Sequence, residues 1–169
     1  MIGRVLALVG GLTTAGVSAQ FPEFSQQYLQ RLGGAVQALD EVVAEFDGSA
    51  AKLSLTRFQA LEQMQGTAFV QARRADMEAL FLRHARLTAD YQQMRAAGPF
   101  MRLYHTRRMG DRELLRGTWG DFVTALPLSF AGAVFAGAGL VLGWAMVRLV
   151  LGALAQVFRR KPQSAKAAD

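Results

Sequence analysis

From Leu126 to Val147 the chain carries 22 consecutive residues without a charge. An α-helix rises about 1.5 Å per residue, so ~20 apolar residues cross the ~30 Å hydrocarbon core of a bilayer. A core helix of a soluble domain rarely keeps so long a stretch free of charge on every face. Apolar residues resume from Leu149 to Phe158, beyond Arg148, whose stem can lie along the apolar surface while its head reaches the headgroups. Trp144, one turn earlier, is the residue type that favours that depth. A C-terminal transmembrane helix is therefore expected over 125–158, followed by a disordered basic tail over 159–169.

A second apolar block, Val5 to Ala19, is shorter and richer in glycine and threonine. It supports two readings. One is an N-terminal transmembrane helix over 1–21. The other is a signal peptide cut after Ala19, with Arg4 as the positive end and Val17 and Ala19 as the small residues of a cleavage site. Small residues recur every four positions in both blocks: Gly11, Ala15 and Ala19, then Gly10, Thr14 and Ser18, and later Gly132 with Ala136 and Gly139 with Gly143. Such stripes let helix backbones approach closely in a membrane. Gly11, Ala15, Gly132, Ala136, Gly139 and Gly143 are the expected membrane-helix packing residues.

Charge is distributed to match. Residues 20–123 hold 13 Lys/Arg and 12 Asp/Glu, so the net charge of +6 arises mainly at the two ends. Basic ends flanking apolar blocks point to a membrane rather than to nucleic acid. There is no cysteine, which excludes disulfides and Cys-based metal sites.

The middle of the chain is helical in period. Tyr28, Leu32, Ala35, Leu39, Val42 and Phe46 are spaced four and three residues apart, the seam of helices that pack along their length. Asp47-Gly48 reads as the stop of this helix. A short helix capped by Ser54 or Thr56 follows. A second long run carries Val70, Met77, Leu80, Leu87, Tyr91 and Met94 at heptad positions, interrupted by Arg73 and His84, and ends at Gly98-Pro99. The pattern predicts a long antiparallel, coiled-coil-like helical hairpin over 22–97 with its tip near 47–66. The chain as a whole then reads as an all-α membrane protein, with the hairpin outside the bilayer between N- and C-terminal transmembrane helices.

Residues 98–124 mix Arg102, Arg107, Arg108, Arg112 and Arg116 with Phe100, Tyr104, Trp119 and Phe122. Cations among aromatics beside a membrane helix suit an interfacial amphipathic segment. These arginines, with Trp119, Trp144 and Arg148, are the expected headgroup or partner contacts. A solvated face with local Asp111 and Glu113 pairs is the plainer alternative. Catalytic patterns are sparse. His84 and His105 have no second ligand at helical spacing, Gly10-Gly11 lacks the surroundings of a phosphate loop, and no Ser/His/Asp set suggests a triad. No enzyme activity, cofactor or metal is expected.

The phrases "RVLALVGGL", "SAQFPEFSQQYLQRLGG" (Ser18 to Gly34), Gly98-Pro99-Phe100 and "FVTALPLSFAGAVFAGAGLVLGW" resemble an uncharacterised proteobacterial membrane-protein family, a domain of unknown function. The resemblance covers nearly the whole chain and brings no activity or site residues. It implies that the first apolar segment belongs with the rest and is retained. Lys/Arg at both ends then predict cytoplasmic termini and a periplasmic hairpin on a bacterial inner membrane. The expected role is an accessory or scaffold subunit of a larger membrane complex. Its expected partners are the lipid bilayer and other membrane subunits or further copies of itself. A lipid-binding or membrane-organising module using the Arg/aromatic segment is the alternative.

Overall fold

A computed structural model describes residues 2–124 and 128–159. The expected start of the C-terminal helix at 125–127 and all but the first residue of the expected tail lie outside those residues. Among the described residues the structure is entirely helical, with seven α-helices and one 3-10 turn. The chain divides into two compact units. One joins the first 23 residues to the segment from Thr124 onward, and the other is Phe24–Val123.

The first unit is built on α1 (Ile2–Ala19) and α7 (Phe130–Arg159). Both are long and apolar enough to cross a membrane. Ser129 caps α7: its hydroxyl accepts the Gly132 N–H at 3.0 Å, satisfying one of the donors that a helix start leaves free. In α1 the Thr13 and Thr14 hydroxyls donate to the carbonyls of Val9 and Gly10 at 3.0 and 2.8 Å, so these polar side chains bond within their own helix. At Gln20 the helix gives way to a turn, closed by the Gln20 N–H on the Val17 carbonyl at 3.1 Å. α2 (Phe21–Lys52) starts one residue later, with Pro22 in its first turn, where a missing N–H costs little.

The second unit contains most of α2, then α3 (Arg57–Gln63), α4 (Ala68–Ala96), α5 (Pro99–Tyr104), a 3-10 turn (Thr106–Arg108) and α6 (Arg112–Gly120). Matched contacts pair α2 with α4 in opposed chain directions. Gly33 lies under the Tyr91 ring, Asp40 meets His84 at 2.6 Å, and the Phe46 and Phe81 rings stand edge to face 5.2 Å apart. The core is Tyr28, Leu29, Leu32 and Val36 from α2, Leu87 and Met94 from α4, with Met109 and Leu114 from the segment that follows.

One boundary differs from the sequence expectation. α2 runs through Asp47-Gly48 and ends at Lys52. Ala50, in the extra turn, is buried, and the Asp47 carboxylate is held by Arg57 of α3 through Nε at 2.8 Å and Nη2 at 2.5 Å. Tertiary burial and an ion pair outweigh the cost of one mid-helix glycine, which is of order 1 kcal/mol. The helix stops instead at Ser54, whose φ is 57°. There the Leu55 N–H bonds back to the Ala50 carbonyl and the Ser54 N–H to that of Ala51, a Schellman ending. As far as Val123, residues 98–124 belong to the second unit, and Met109, Leu114 and Thr118 are buried in it.

Candidate functional site

The closest approach in the first unit is the seam between α1 and α7. The two helices run in opposite directions, with Gly3 near Leu151, Gly10 near Val147 and Ser18 near Gly139. Glycine makes this possible. A Cβ on Gly11 would sit 2.9 Å from the Leu140 carbonyl oxygen, one on Gly139 2.7 Å from that of Thr14, and one on Gly143 2.8 Å from that of Gly10. These obstacles are backbone atoms, so no side-chain rotation relieves them. Of the expected packing residues, Gly11, Gly132, Gly139 and Gly143 are buried, and Ala15 and Ala136 are half-buried. Gly10, Thr14 and Ser18, the second stripe of α1, are the residues that meet Gly139 and Gly143.

The outer faces of this pair are apolar and exposed. Ile2, Val5, Leu8, Leu12 and Val17 on α1 are exposed, as are Phe130, Val141, Leu142 and Leu149 on α7. Toward its end, the Arg148 guanidinium lies 5.3 Å from the exposed Trp144 ring, a cation–π pairing.

In the second unit the seam on α2 sits partly one residue away from the expected one. Tyr28 and Leu32 are fully buried, and Ala35, Leu39 and Phe46 are half-buried. Val42 is 36% exposed, and Val43 is buried in its place. The buried line Ser25, Tyr28 with Leu29, Leu32, Val36, Val43, Ala50 keeps Tyr28 and Leu32 as expected, adds Leu29 beside Tyr28, and takes Val36 and Val43 where Ala35 and Val42 were expected. Val36 fills the seam with a larger side chain than Ala35 offers. On α4, Met77, Leu87 and Met94 are buried, while Val70, Leu80 and Tyr91 are half-buried.

The arginine segment separates into two groups. Arg102, expected at headgroups, is only 9% exposed. Its Nε donates to the carbonyls of Met94 at 3.3 Å and Ala97 at 3.1 Å, and its Nη1 donates to Gln26 Oε1 at 2.7 Å. It therefore caps the end of α4 and ties it to α2, because the chain folds back at Gly98-Pro99. Burial pushes its pKa down from the usual arginine value. Arg108 is also committed, to Asp90 at 2.9 Å. Arg107, Arg112 and Arg116 are exposed. Trp119 is 74% exposed and stands edge-on to Phe24, with 5.9 Å between ring centroids.

Asp111 and Glu113, expected to make local ion pairs, pair instead with arginines of α4. Asp111 caps α6, accepting the Leu114 N–H at 3.2 Å. It also takes Arg83 Nε at 3.3 Å and Arg86 Nη2 at 3.4 Å, and Arg83 reaches Glu113 at 2.8 Å. Burial works to raise the Asp111 carboxyl, but the Leu114 N–H and Arg83 outweigh it and hold the pKa below the usual carboxylate value. An aspartate three residues before Leu114 is a recognisable cap signal. Its arginine partners, 25 and 28 residues back, carry no local signature. Arg31 pairs in the same way with Asp121.

A family model described as "Protein of unknown function (DUF2937)" matches residues 2–160. No curated protein and no solved structure matches the chain.

Proposed function

The chain belongs to the DUF2937 family, and we propose that it is a non-enzymatic two-pass membrane protein that serves as an accessory or scaffold subunit of a larger membrane complex. In this reading α1 and α7 cross the bilayer as a pair. The second unit forms a helical hairpin outside it, on the periplasmic side of a bacterial inner membrane with both termini cytoplasmic.

The observation that carries the reading is the α1–α7 pair itself. Its seam is packed through backbone-to-backbone contacts at Gly11, Gly139 and Gly143, while its outer faces present rows of exposed Leu, Val and Ile. Small residues inside and large apolar residues outside is the arrangement that lipid, not water, accommodates. A removable signal peptide has no need of a shaped partner helix. Within the second unit, the Phe24 and Phe122 rings stand edge to face with centroids 5.5 Å apart, and Gln27 Nε2 donates to the Val123 carbonyl at 3.1 Å. The two ends of that unit thus lie side by side.

The test is the intact mass of the protein extracted from its native membrane, followed by sizing in mild detergent. The full-length mass and migration as part of a larger assembly are expected. A mass lacking residues 1–19, or recovery solely as a lone monomer, overturns the reading.

A second reading, membrane organisation through lipid headgroups, is favoured by the exposed Arg107, Arg112, Arg116 and Trp119. Replacing these three arginines with glutamine should weaken association of the body with anionic liposomes. Unchanged association removes this reading.

A further inference from the structure

A groove of about 490 Å³ opens on the second unit between α2 and α4. α2 lines it with Gln26, Gln30 and Gln37, α4 with Tyr91 and Arg95, and α5 with Arg102. Gly33 lies at its floor, where a Cβ would come within 3.0 Å of the Tyr91 ring. The bare backbone lets the phenol end of that ring come close to α2.

The charge balance of this groove is unusual for the molecule. Arg31, Arg57, Arg74, Arg83, Arg86 and Arg108 each have a carboxylate within 4 Å. Arg102 is more buried than any of them, yet among the described residues its partners are neutral oxygens alone: two backbone carbonyls and Gln26 Oε1. The carbonyl end of α4 supplies roughly half a negative charge at most. No carboxylate appears among the groove's lining residues, and Arg95 adds a second cation. A buried cation without a counter-ion is costly. Arg102 takes the Gln26 oxygen, which leaves that amide its N–H₂ to offer. The groove therefore converges donors: two guanidinium groups, glutamine amides and a phenol.

We propose that this groove binds a phosphate ester, with Arg102 and Arg95 on the phosphate oxygens and the glutamines and Tyr91 on the polar remainder. The guanidinium fork matches phosphate geometry, and the volume exceeds an inorganic phosphate ion several-fold, leaving room for the esterified group. The inference does not depend on the membrane reading. The ester comes either from a soluble metabolite or from a phospholipid headgroup.

The experiment uses the full chain in zwitterionic nanodiscs. Binding of glycerol phosphate is measured by calorimetry, and retention of phosphatidylglycerol doped into the same discs by native mass spectrometry. Arg95→Gln and Gln30→Glu alter the groove at exposed positions that leave the core intact, and Arg73→Gln is the control outside it. Binding of either probe, about tenfold weaker in Arg95→Gln, lost in Gln30→Glu and unchanged in Arg73→Gln, is expected. The probe that responds identifies the source. Failure of both probes to bind, equal binding by all variants, or equal binding of succinate overturns the proposal.

Discussion

Tyr28 is fully buried, and its hydroxyl makes no well-formed hydrogen bond, the Asp111 backbone N–H being its one nearby donor. A polar group desolvated without a partner is a net cost. Burial, reinforced by the nearby Asp111 charge and partly offset by the Asp111 backbone N–H, pushes the phenol up to about 12. The unfolded chain ionises near pH 10, so the folded form keeps its proton over a range where the unfolded form loses it. Stability is intact below pH 10 and declines as the pH rises toward 12. Tyr28→Phe keeps the ring and removes the orphan hydroxyl. It should raise stability by about 1 kcal/mol and flatten the alkaline decline, both read from denaturant melts at neutral pH and at pH 11. A loss of stability on substitution would show that the hydroxyl has a partner after all. The burial of Tyr28 is legible from heptad spacing. The position of Arg102 is not: an arginine among aromatics looks the same on an interfacial face as inside a fold-back, and only the contacts to Met94, Ala97 and Gln26 separate the two.

At the scale of elements, the long helices are legible because their apolar periods are long. Their ends and exact faces are less so. Val42 and Val43 are equally apolar, and the choice between them depends on how α4 lies against α2. Asp47-Gly48 reads as a stop because local propensity says so, whereas the real stop is set by α3 folding back to place Arg57 on Asp47. That stop leaves Ser54 in the left-handed region at φ 57°, where a Cβ costs roughly 1–2 kcal/mol and glycine has no such penalty. Ser54→Gly should therefore stabilise the second unit by about 1 kcal/mol, after the greater freedom of glycine in the unfolded chain is subtracted. The melting temperature should rise by roughly 4–8 °C if the second unit melts as one domain of that size. Ser54→Val, which resists positive φ, should lower it. Equal melting of all three chains would mean that the Schellman ending contributes nothing to stability.

At the scale of the molecule, the decisive question is whether α1 and α7 form a lasting pair. Composition alone leaves α1 divided between a membrane helix and a signal sequence, since both need a short apolar run behind a positive residue. The structure adds a complementary surface on α7, and that surface can be trapped chemically. The chain has no cysteine, so any introduced pair reports without background. A Cβ built on Gly10 lies 3.7 Å from Val147 Cβ, within the roughly 3.5–4.5 Å that a disulfide spans. The contact that would obstruct a Cβ there is Val147 Cγ2 at 2.6 Å. Val147→Cys removes the branching, leaving one γ atom to form the bond. Gly10→Cys with Val147→Cys should oxidise to an intramolecular disulfide in isolated membranes, seen as a loss of two hydrogens in the intact mass. Leu12→Cys with Val147→Cys should stay reduced, because Leu12 is exposed and lies two residues around the helix, on a different face. If residues 1–19 are removed in the cell, the thiol introduced by Gly10→Cys leaves with them, and both the bond and its mass disappear. A full-length chain that fails to form the bond would instead show that α1 is retained without the glycine seam holding it to α7.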